Sequence, residues 1–180
     1  DGGESYIAEF EGKSVMLPPL ASEYTANFIA IMDYDYETAA YVDLCVNPQL
    51  VVDVKNDASC KVKQKNTLSG QGAPIAVTVV EENIIPMGQT TIIEVTFTAE
   101  DKGNGELASS IYVDEVKLAN RMMSCNPVLL RAADLKEKNN KVVCRVVEPT
   151  GSPYTTTFSA LLHYEYRVQK EGTFKVKKFE

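Results

Sequence analysis

Apolar and polar residues alternate most plainly between Ser69 and Gly105, SGQGAPIAVTVVEENIIPMGQTTIIEVTFTAEDKGNG. Ile75, Val77 and Val79 alternate with Ala76, Thr78 and Val80, and Ile93, Val95 and Phe97 alternate with Glu94, Thr96 and Thr98. A period of two marks half-buried strands. Pro86 and Gly88 punctuate the pair, and Lys102-Gly103-Asn104-Gly105 supplies a tight turn into a further strand at Leu107. The same alternation predicts strands at Ser5–Phe10, with Val15–Leu17 as its continuation, at Leu50–Val54, Cys60–Val62, Ser109–Leu118 and Lys141–Val147. Tyr24–Cys45 reads as one long β region in which Phe28–Met32 is apolar throughout, the pattern of a strand covered on both faces. Thr155–Val168 is the most regular strand, with Phe158, Ala160, Leu162, Tyr164, Tyr166 and Val168 on one face, and Gly172 turns the chain into a last strand at Thr173–Phe179. Val128–Lys138 is the one helical candidate.

About seven strands from Pro74 onward predict an all-β fold, an immunoglobulin-like β-sandwich with additional N-terminal strands. The Gly/Ser/Gln-containing connector at Asn66–Ala73 divides the chain into an N-terminal β segment, 1–68, and the sandwich, 69–180. The two also read as one continuous domain, a choice the pattern leaves open.

Charge and cysteines narrow the class. The net charge is −7, with eight acids against Lys13 alone in the first 37 residues and Lys170, Lys175, Lys177 and Lys178 near the C-terminus. Without a basic stripe carrying interleaved aromatics, nucleic acid is not an expected partner. The apolar runs fall far short of the roughly 20 residues that span a bilayer as a helix. The start at Asp1, with no signal-like apolar segment, suits a processed, exported product as well as a trimmed chain. Cys45, Cys60, Cys125 and Cys144 lack metal-ligand spacing. Two disulfides are expected, in one of three pairings; Cys45–Cys60 and Cys125–Cys144 are favoured because each brackets a short segment between predicted strands, the first closing a hairpin. Disulfides imply an oxidising, extracytoplasmic location.

Chemistry is sparse. Asp33, Asp35 and Glu37 share one face of a strand, but alternate positions lie about 6.8 Å apart, too far to grip one cation without a bend. The single histidine, His163, has no G-x-S-x-G elbow to serve. Gly70-x-Gly72 precedes a strand, not the helix N-terminus of a phosphate loop, and reads as a turn. No catalytic residue, metal or cofactor is expected, and the chain is not read as an enzyme.

The motif Ser69-Gly-Gln-Gly-Ala-Pro-Ile-Ala-Val-Thr78 resembles a GQGAPVAVT-like motif of poorly characterised exported archaeal proteins, particularly of small-genome lineages. Similar features are Tyr36-Glu-Thr38 leading to Cys45-x-Asn47-Pro48, the Gly103-Asn-Gly105 turn, the Cys125-Asn-Pro127 to Cys144 segment and Tyr164-x-Tyr166. The resemblance implies an extracytoplasmic, β-rich surface protein, often behind a membrane anchor, and carries no catalytic residues with it. The expected function is a structural subunit of an extracellular filament, pilus or surface layer that assembles with other copies of itself head to tail. The expected donor strand is Tyr6, Ile7, Ala8 and Phe10, offered to a neighbour's open sheet edge. The alternative is a monomeric adhesion module that binds cell-surface proteins or glycans, with Tyr34, Tyr36 and Tyr41 as its exposed aromatics.

Overall fold

The structure is a computed structural model that describes residues 7, 9, 11, 16–48 and 60–178. The expected strands at Ser5–Phe10 and Leu50–Val54 lie largely or wholly outside the described residues. Ile7 and Glu9, which lie within them, are exposed and have no regular structure.

Among the described residues eleven strands and one short helix follow in order: β1 (Glu23–Val46), β2 (Lys65–Thr67), β3 (Ile75–Met87), β4 (Thr90–Asp101), β5 (Glu106–Leu107), β6 (Ile111–Leu118), β7 (Arg121–Met122), β8 (Ser124–Asn126), β9 (Leu129–Leu130), α1 (Ala132–Lys136), β10 (Lys141–Pro149) and β11 (Tyr154–Lys177). One sheet runs β1-β11-β6-β7, with β5 added to β11 and β9 to β6; the other runs β2-β3-β4-β10-β8. Chain compactness separates residues 33–167 from a second unit drawn from 1–32 and 168–180.

The 33–167 unit is an all-β sandwich. The alternating faces of the two sheets meet in a dry core in which Phe97 of β4 packs against Phe158 of β11, ring centres 6.2 Å apart. Ile75, Ile93, Ile111, Leu118 and Leu162 are fully buried beside them. A polar tie crosses the layers. Thr38 Oγ1 of β1 donates to the Ile75 carbonyl (2.7 Å) and lies 2.9 Å from the Tyr164 hydroxyl, which accepts the Ile75 N–H at 3.1 Å. Each buried polar atom of this triad therefore has a partner, as burial requires. Tyr36 stacks on Tyr164 with ring centres 5.9 Å apart.

Several boundaries differ from the sequence reading. Met16 and Leu17 are irregular, because Pro18-Pro19 and the turn closed by Ala21 N–H to the Pro18 carbonyl (3.0 Å) follow at once. The strand expected at Cys60–Val62 forms instead at Lys65–Thr67, where it pairs with Val79–Glu81 of β3. Pro86 is inside β3, opposite Thr91, and Gly88 (φ 70°) makes the turn. Only Ala132–Lys136 of the helical candidate is helix. Gly172 does not turn the chain: β11 runs unbroken to Lys177.

The unit of 1–32 and 168–180 contains an antiparallel two-stranded ribbon, the first part of β1 against the last part of β11. Lys178 N–H donates to the Ser22 carbonyl at 3.0 Å, and the Phe28 ring covers Gly172, where a side chain would collide with it. Both contacts fix one register, in which partner numbers sum to 200.

Candidate assembly surface

The disulfides join Cys45 to Cys60 and Cys125 to Cys144. The second links directly paired residues of β8 and β10, tying an edge strand to its sheet; the first holds the residue after β1's buried Leu44 to the approach of β2. Of the expected donor residues, Tyr6, Ala8 and Phe10 lie outside the described residues, and Ile7 is almost fully exposed.

The acidic triplet does not form a cation site. Asp33 is gripped by Arg167, Nε to Oδ1 at 2.7 Å and an NH2 group to Oδ2 at 2.9 Å, and this hydrogen-bonded guanidinium holds the Asp33 carboxyl below its ordinary range. Among the described residues no group of three or more His, Cys, Asp or Glu side chains is placed to hold a metal. Gly70 and Gly72 both adopt positive φ, 75° and 71°, and Gln71 between them clamps Val77, accepting its N–H at 2.9 Å and donating to its carbonyl at 2.6 Å. The loop's polar side chain is spent on β3, in a structural turn. His163 faces outward opposite Tyr112. Tyr34 and Tyr36 lie on one face of β1, edge to face at 6.2 Å, whereas Tyr41 is at an odd position on the other, so the three tyrosines make no common patch.

What the sequence pattern concealed is an acid inside the sandwich. Glu82 is 7% exposed, and neither carboxylate oxygen has a hydrogen-bond partner. Desolvation pushes its pKa up to about 7. The cause is a register shift between Val77 and Val79. A bulge reverses which parity faces inward, so that Ile75 and Val77 are buried before it and Val80, Glu82 and Ile84 after it. Nearby, the Tyr154 hydroxyl donates to Glu148, which also pairs with Arg121 at 3.1 Å. Burial and the Glu148 carboxylate both raise the Tyr154 pKa.

The ribbon leaves apolar side chains exposed. The stretch read as buried on both faces is exposed on both: Phe28, Ile29, Ile31 and Met32 all present substantial surface. Because Ser22 bonds to β11, alternation turns the N–H and C=O groups of the odd residues, Glu23 to Ile31, away from β11. Among the described residues β1 has β11 as its one neighbour, and no described strand lies on this side. From Tyr24 to Met32 it has no charge, proline or glycine. Edges that stay single are normally guarded by such residues or by a bulge.

No protein-family model, curated protein or solved structure matches this chain.

Proposed function

We propose that this chain is a structural subunit of an extracellular filament, pilus or surface layer, assembled head to tail by strand donation between copies. The observation that carries the proposal is the unguarded edge of β1 between Tyr24 and Met32. An incoming strand finds there a row of outward N–H and C=O groups at the odd positions, and the hydrogen bonds of a ladder supply affinity without a pocket. The donor in this reading is Tyr6, Ile7, Ala8 and Phe10, a short alternating segment of high β propensity. A contact between different surfaces of successive copies does not close, and so grows into a fibre. Two disulfides fit maturation in oxidising surroundings, and an extracellular, cell-surface location follows within the proposal. The adhesion alternative has weaker support, since its three tyrosines are divided between two faces of β1.

Negative-stain electron microscopy of undenatured protein tests this function. Regular fibres that disappear when residues 1–12 are deleted, while the circular dichroism of a folded β protein persists, are the expected result. Fibres unaffected by that deletion would remove the donor role.

A further inference from the structure

We infer that the ribbon's apolar face is a second assembly surface, occupied by the same face of another copy. This rests on the self-assembly reading above but concerns a different surface: a face of side chains, not the backbone edge. In the register fixed by Ser22 and Lys178, even-numbered residues of both strands share one side. Along β1 these are Tyr24, Ala26, Phe28, Ala30 and Met32, and Phe174 of β11 adds a ring 6.3 Å from Phe28. Lys170 is the sole charge among the ten even positions of 24–32 and 168–176, and a lysine stem lies along apolar surface while its head reaches water. The odd positions carry Glu23, Thr25, Asn27, Gln169, Glu171, Thr173, Lys175 and Lys177 around Ile29 and Ile31. The ribbon is thus amphipathic, with its apolar side part exposed: Tyr24 is 50% exposed, Phe28 45%, Met32 43% and Phe174 49%. A two-stranded ribbon in water is marginal until its apolar face is covered.

The shape of the strip selects a second copy as that cover. Large and small side chains alternate regularly along β1, Tyr-Ala-Phe-Ala-Met at every second residue. Laid antiparallel on itself so that Phe28 faces Ala26 of the second copy, the strip also sets Tyr24 against the second copy's Ala30. Each projection then enters a hollow, the interdigitation that packed sheet faces require. The near absence of charge leaves no like-charged pair to oppose. The area is also sufficient: four large side chains, each of roughly 200 Å² and about half uncovered, with the smaller neighbours bring the two faces to about 1,000 Å² in total, the lower bound for a specific contact. Such a pairing is isologous and closes as a dimer, so fibres need the donated strand as well.

Sedimentation velocity of the full chain tests the pairing. Three variants are compared with the unaltered protein: Tyr24→Lys with Met32→Lys on the apolar face, Ile29→Lys with Ile31→Lys on the polar face, and Ala26→Phe with Ala30→Phe to fill the hollows. The expected result is a reversible dimer for the unaltered chain and for the Ile variant, and a dissociation constant raised at least about tenfold in the other two. Filling the hollows adds apolar surface, so unspecific stickiness would strengthen association and overturn the inference, as would an Ile variant that dissociates while the Tyr24/Met32 variant does not. A monomer that instead floats with vesicles of mixed zwitterionic and anionic phospholipid would overturn it too. Dimers without fibres in the microscope would leave this contact standing and sink the filament reading; fibres from the Tyr24/Met32 variant, with unchanged association, would do the reverse.

Discussion

Glu82 shows how one side chain sets a pH dependence. Its carboxyl is buried without a partner, and its folded-state pKa of about 7 lies above the ordinary 4.5. The folded state therefore holds the proton more tightly than the unfolded chain does. Below pH 4.5 both states are protonated and the residue costs nothing through ionisation. Between 4.5 and 7 the unfolded chain loses its proton first, so stability falls as pH rises, and above 7 the loss levels off at about 3 kcal/mol. Glu82→Gln should abolish this contribution, so urea unfolding at pH 4.5, 6 and 8 should show a midpoint less dependent on pH than in the unaltered chain. An undiminished slope would place the titration elsewhere. The sequence did not disclose this residue: with Ile75, Val77 and Val79 on one face, unbroken alternation puts Glu82 on the other, and the bulge that inverts the pleat is set by pairing with β4.

At the level of elements, the regular strands were readable because one face is buried against the other sheet. The alternation of Phe158 to Tyr166 and of Ile93 to Ala99 survives intact in the burial of β11 and β4. What local pattern could not reveal was long-range pairing. Gly172 looks like a turn in isolation, yet β1 lies opposite it and Phe28 covers the space that its missing side chain leaves, so the strand continues. The apolar run Phe28–Met32 resembles an interior strand, although its own chain leaves it exposed. Short edge elements such as β7 and β9, two residues each, have no period to detect. The cysteine spacing did anticipate the pairs, because each brackets a segment short enough to bring its two cysteines together. Replacing Cys125 and Cys144 together by Ser should lower stability by roughly 3 kcal/mol by freeing a loop of this length in the unfolded chain. Denaturant titration of that variant beside the oxidised protein measures the difference, and a negligible change would show that β10 holds β8 without the bond.

For the molecule as a whole, the sandwich and the ribbon pose different problems of stability. Residues 33–167 bury a continuous core closed by Phe97, Phe158 and Tyr164, and this unit has the layered construction of an independent β domain. The ribbon has two strands, an apolar face and an unguarded edge, features expected of a surface that is covered in the working state. The self-assembly we propose would use both: strand donation for the edge, pairing with a second copy for the face. No helix among the described residues is long and apolar enough to cross a membrane. The most direct test of self-assembly is the mass of the full, oxidised chain by sedimentation velocity over a hundredfold range of concentration. Self-assembly predicts species well above 19.8 kDa whose proportion grows with concentration. A single species of that mass at every concentration would contradict it.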